Sequence, residues 1–208
     1  MRKFIVTKYG VELHYHEGLA LVEEKAKYGY VDEDLNFIIE PRFYFAKNFS
    51  EGLARVSLHP NKTGYIDKTG KFVIEPRFEH ISCQGDFHCG LARICVIDKH
   101  DKLMLPHNGY IDKSGTFVIP PIYRFADDFS YGLAAVQIST LELFGYIDTS
   151  GKYVLEPQFE VAASFIDGKA YVKLKGIQHI IDTKGKILRS GKDCISYYED
   201  LYDSEDFY

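Results

Sequence analysis

Gly-Tyr-(Ile/Val)-Asp occurs four times in this chain, and that recurrence limits its fold more than any other feature. The copies are Gly29-Tyr30-Val31-Asp32, Gly64-Tyr65-Ile66-Asp67, Gly109-Tyr110-Ile111-Asp112 and Gly145-Tyr146-Ile147-Asp148. A divergent fifth copy ends in Ile180-Ile181-Asp182, and successive aspartates lie 35, 45, 36 and 34 residues apart. A period of this size marks a repeat architecture, in which each copy is a small unit that cannot bury its apolar face alone. A residue present in every copy is therefore explained first as part of the fold.

Each repeat carries further landmarks in a fixed order. A Gly-Leu-Ala segment comes first: Gly18-Leu19-Ala20, Gly52-Leu53-Ala54, Gly90-Leu91-Ala92, Gly132-Leu133-Ala134 and a weaker Gly168-Lys169-Ala170. After the aspartate come a short turn, an apolar run such as Phe72-Val73-Ile74, and Glu-Pro-x-Phe, as in Glu75-Pro76-Arg77-Phe78. Ala54, Val56 and Leu58 alternate with Leu53, Arg55 and Ser57, which is the period of a half-buried strand. Asp67 is placed to accept hydrogen bonds from turn amides ahead of it, and Gly70 supplies a positive φ without a Cβ clash. Asp112 with Gly115, Asp148 with Gly151 and Asp182 with Gly185 repeat the device; in the first copy Asn36 is the expected stand-in for the glycine. Proline cannot donate to a ladder, so Pro76 ends its strand or sits at an edge.

The pattern predicts an all-β fold of tandem three-stranded antiparallel meanders stacked into an open curved array, with a small five-bladed β-propeller as the alternative. One domain is expected over 1–190, with units near 3–32, 37–67, 72–112, 117–148 and 153–188. Residues 191–208 form an acidic, aromatic C-terminal tail, expected to be a frayed, solubilising end. The 45-residue interval places insertions in the connector around Cys83-Gln84-Gly85-Asp86 and in the loop from Ile97 to Asn108.

Composition narrows the function classes. A net charge of -5 lacks the basic field of a general nucleic-acid binder. No apolar run approaches the length of a membrane-spanning helix, and the three-residue apolar stretch Phe4-Ile5-Val6 is too short for a secretory leader. Cys83, Cys89, Cys95 and Cys194 are placed irregularly and form no disulfide framework. A cytoplasmic protein is expected, with signal-free export left open.

The order G-Y-I-D-x-x-G-x-F-V-I-x-P followed by F-S-x-G-L-A resembles the WG-repeat family, found mostly in bacteria, over roughly residues 3–188. The family's usual Trp before the glycine is Tyr28, Thr63, Asn108 and Phe144 here. The resemblance implies a β repeat module without a shared catalytic activity, with protein interaction as the usual assignment.

Several residues carry chemistry worth testing against the fold. Arg55 and Arg93 occupy matching sites on the first strand and form either a recognition face or ion pairs between units. Tyr65, Tyr110 and Tyr146, with Tyr30, form either an exposed aromatic row or packing between units. His80, Cys83, His88 and Cys89 are donors that zinc favours. However, adjacent strand residues such as His88 and Cys89 point to opposite faces. No metal, cofactor or catalytic residue is therefore expected. The expected task is a non-catalytic scaffold for interaction with another protein, without nucleic-acid or membrane partners. The alternatives are a carbohydrate-binding module using exposed tyrosines and a metal- or thiol-dependent enzyme built on the inserted connector.

Overall fold

The structure, a computed structural model, describes residues 13–60, 62–79, 84–97 and 105–204. The start of the expected first unit, residues 3–12, lies outside them. The described strands form five four-stranded antiparallel sheets. Sheet 1 holds β1 (Tyr15–His16), β2 (Leu19–Glu24), β3 (Lys27–Val31) and β4 (Phe37–Phe43). Sheet 2 holds β5 (Phe45–Ala46), β6 (Ala54–His59), β7 (Lys62–Ile66) and β8 (Phe72–Phe78). Sheet 3 holds β9 (Phe87–His88), β10 (Leu91–Ile97), β11 (Pro106–Ile111) and β12 (Phe117–Tyr123). Sheet 4 holds β13 (Phe125–Ala126), β14 (Leu133–Gln137), β15 (Phe144–Asp148) and β16 (Tyr153–Phe159). Sheet 5 holds β17 (Val161–Ala162), β18 (Lys169–Leu174), β19 (Ile177–Asp182) and β20 (Ile187–Ser190), followed by α1 (Cys194–Ser204).

The three long strands of each sheet are the expected meander. The fourth is a two-residue strand supplied by the connector, as where Phe45 and Ala46 pair with Ser57 and Val56. The chain then turns through a residue–glycine pair in which both φ angles are positive, as in Glu51 (52°) and Gly52 (85°). Two such residues match the twist of a two-residue hairpin. The glycine of Gly-Leu-Ala is therefore a turn residue, not the start of a strand.

The second glycine of the repeat answers a different demand. Register shifts flank Tyr65 where β7 pairs β8, and the partner backbone comes close. A Cβ on Gly64 would lie 2.5 Å from the Ile74 carbonyl oxygen. Gly29, Gly109 and Gly145 are crowded in the same way. The β8 strand runs through Pro76 and is the outer strand of its sheet, so the proline occupies an edge.

The aspartate turns form as expected. Asp67 Oδ1 accepts the Thr69 and Lys71 amides at 2.9 and 3.1 Å, and Gly70 has φ 83°. The first copy differs in one residue. Leu35, not Asn36, takes the left-handed conformation (φ 64°), because it occupies Gly70's place in the turn, while Asn36 donates its amide to Asp32 Oδ1.

The chain forms two compact units: Met1–Phe87 with Lys113–Gly115, and His88–Asp112 with Thr116–Tyr208. In the first unit Tyr30, Ile39, Phe43, Phe49, Val56 and Ile66 share one core. In the second, one core gathers Tyr110, Ile119, Phe129 and Ile147, and another Tyr146, Phe159, Phe165 and Ile181. Where a frayed tail was expected, residues 194–204 form a helix. Residues 194, 197, 198 and 201 share one helical face. Cys194 is buried with Tyr171 and Ile180, and Tyr197 and Tyr198 pack beside them. The helix covers Ile180, which holds the position of the recurring tyrosine.

Candidate functional site

The recurring tyrosines are fully buried, so they form no exposed row. Each hydroxyl donates to a carbonyl of the following connector: Tyr30 to Lys47 (2.7 Å), Tyr65 to Gly85 (2.7 Å), Tyr110 to Asp127 (2.6 Å) and Tyr146 to Ala163 (2.7 Å). A phenylalanine from the same connector lies on each ring: Phe49, Phe87, Phe129 and Phe165, with ring centroids 4.7–5.0 Å apart. A buried phenol that donates its proton stays neutral. Burial pushes the Tyr30, Tyr110 and Tyr146 hydroxyls well above the usual phenol range. The carbohydrate alternative needed these rings on the surface, and the structure removes that basis.

The two arginines are also structural. Arg55 Nε donates to Asp86 Oδ1 at 2.9 Å within the first unit, and Arg55 is itself buried. Arg93 Nε donates to Asp128 Oδ1 at 3.0 Å within the second. Both acids directly precede the connector phenylalanine, so each pair fixes a connector against a sheet. Each guanidinium is thus held through Nε by an acid of its own unit. Asp127, beside Asp128, has its carboxyl raised above the ordinary range by burial, against the Ser164 hydroxyl that donates to Oδ2 at 3.1 Å.

Outer-strand arginines add a further link. Arg42 Nη2 donates to the Gly70 carbonyl at 2.6 Å, and Arg77 Nη2 to the Gly115 carbonyl at 2.5 Å, both within the first unit. In these two aspartate turns the closing glycine thus also receives an arginine from another repeat.

Of the zinc-type donors, His80 and Cys83 lie outside the described residues. His88 and Cys89 are both exposed. Cys89 holds the first position of a two-residue turn, with φ 54°. No three metal-donor side chains come together among the described residues. Among the same residues, no helix is long and apolar enough to cross a membrane.

A sequence profile described as the WG containing repeat matches residues 28–59, 64–106, 109–139 and 144–176, well over half of the chain. The chain belongs to the WG-repeat family. No curated protein matches it in sequence. Solved structures similar in fold include a eukaryotic initiation factor, at 10% identity and TM-score 0.54, over 89% of this chain and 54% of that one. The computationally designed Ika8 protein matches at 11% identity and TM-score 0.50, over 86% of this chain and 60% of that one. This WG-repeat chain thus spans less than two thirds of the length of either. At these identities the likeness extends to the fold alone.

The WG repeats here lack the tryptophan before the glycine, and the replacements behave differently. Tyr28 packs against the first core, and Phe144 lies 6.3 Å from Phe125. Asn108 donates through Nδ2 to the Tyr123 and Arg124 carbonyls. Thr63 is fully buried with its hydroxyl unpartnered.

Proposed function

We propose that this WG-repeat protein is a non-catalytic scaffold that binds another protein through the outer strands of its sheets. One observation carries the reading. The outer strand of every sheet shows solvent an aliphatic side chain at the same register: Ile38 and Val73 in the first unit, and Val118, Val154 and Leu188 in the second, each 44–49% exposed. A single exposed aliphatic is ordinary on a protein surface. Repetition at one position suits a face that neighbouring repeats present together. The recurring polar groups meanwhile bond within the fold, which leaves partner choice to the outer strands.

The test compares proteins captured from the native host by the parent chain and by a Val118→Asp/Val154→Asp/Leu188→Asp variant, with a thermal melt as the folding control. Loss of specific partners from a folded variant is the expected result. An unchanged partner set would remove this face from the account.

A further inference from the structure

We propose that the gap between sheets 4 and 5, inside the second unit, binds a small amphipathic carboxylic acid of about ten non-hydrogen atoms. A cavity of about 270 Å³ lies there, walled by Leu155 and Phe159 of β16 and by Val172, Ile181 and Ile187 of sheet 5. An engineered cavity of about 150 Å³ accommodates benzene, which sets the size of the occupant.

Two departures from the repeat account for the opening. At the position of Ile187 the second sheet has Phe72, whose ring packs edge-on at 6.4 Å from Phe43. The fourth sheet has Tyr153 there, packed against the core that holds Tyr123. An aromatic ring thus closes those two gaps, and the isoleucine at 187 does not. The second departure is His179, which stands where the other copies have the crowded glycine. The last strand lacks the Glu-Pro segment, and His179 instead pairs with Ser190 and bonds its hydroxyl through Nδ1 at 2.7 Å.

The polar groups lining the cavity define the ligand. Lys184, in the aspartate turn, is an exposed cation at the lip, while His179 and Gln158 offer hydrogen bonds. A mixed lining, in which Leu155, Val172, Ile181 and Ile187 stand beside one ammonium group and the polar His179 and Gln158, complements an amphipathic molecule that ends in a carboxylate. Filling the space returns to Leu155 and Phe159 the contacts that the aromatic ring supplies elsewhere.

Octanoate has the required size and charge, and 1-octanol is its uncharged match. Calorimetric titration of the full chain should show saturable octanoate binding. Ile187→Phe, which restores the missing ring, should weaken it at least about tenfold, and Lys184→Gln should weaken octanoate about tenfold while leaving octanol unchanged. Methyl NMR supplies a reading that needs no variant: octanoate should shift Ile187 and Leu155 and leave Ile39 of the first unit unmoved. No saturable binding, equal affinity for octanol and octanoate, or undiminished binding to a folded Ile187→Phe variant would each overturn the proposal.

Discussion

Removing one oxygen from Tyr146 isolates the contribution of a recurring inter-sheet hydrogen bond. In Tyr146→Phe the ring still packs on Phe165, but the Ala163 carbonyl loses its donor. A cost of about 1–3 kcal/mol is expected in urea unfolding, and an unmoved midpoint would contradict the role given to the hydroxyl. The glycines separate two kinds of cost. Gly52 has positive φ with open space around it, so Gly52→Ala should cost roughly 1 kcal/mol through strain alone. Gly115 has the same strain, and an added Cβ would meet Arg77 Nη2 at 2.5 Å and Ile74 Cγ2 at 3.1 Å. Gly115→Val should therefore cost clearly more, and Gly70→Val at least about 1 kcal/mol. Equal thermal shifts for Gly52→Ala and Gly115→Val would rule out the added crowding. The turn role of Gly70 was legible because Asp-x-x-Gly is a local signal. The role of Gly64 was not, because it depends on how closely the partner strand approaches, and the placement of Leu35 was masked by the tolerance of Asn for the same conformation.

Within single elements, short-range chemistry was readable and pairing at a distance was not. The meander strands followed from alternation over five or six residues. The two-residue strands such as Phe45–Ala46 have no period to read, and the sheet recruits them once the turn places them alongside. The arginines invited a recognition reading because their acids, Asp86 and Asp128, lie 31 and 35 residues away. The helix was hidden by its acids, although residues 194, 197, 198 and 201 already had helical spacing. Tyr198 donates to the Ser164 carbonyl, and Cys194 is fully buried against sheet 5. A chain cut after Gly191 would uncover Tyr171 and Ile180. It should lose about 2–4 kcal/mol and melt lower, whereas an unchanged melt would show that the helix is an ornament on sheet 5.

Across the whole molecule, buried tyrosines and aspartate turns limit stability at opposite ends of the pH scale. The buried hydroxyls of Tyr30, Tyr110 and Tyr146 ionise well above the free phenol. Their contribution is fully present below the unfolded value near pH ~10 and is lost as pH rises from there toward the folded values. Alkaline titration should therefore show the absorbance of the buried tyrosinates, beyond that of exposed tyrosines such as Tyr44 and Tyr131, appearing together with the loss of β-sheet signal. At the acid end, the hydroxyl of Thr69 at Asp67, the hydroxyl of Ser150 at Asp148 and the Asn36 amide at Asp32 hold these carboxyls below the ordinary range. That contribution is present above pH ~4 and is lost as pH falls through the depressed folded values. Ionisation of the buried tyrosines while the β-sheet signal persists would separate these groups from the fold.

Within each unit, a sheet that carries the recurring tyrosine leans on the connector that follows it, through the tyrosine–carbonyl bond and the paired phenylalanine, and cannot stand alone. The most direct measurement is circular dichroism of the isolated sheet 4 fragment, residues 125–159. A disordered spectrum with no cooperative melt is expected, because Tyr146 would lack both the Ala163 carbonyl and Phe165. A fragment that shows β-structure and melts cooperatively on its own would contradict it.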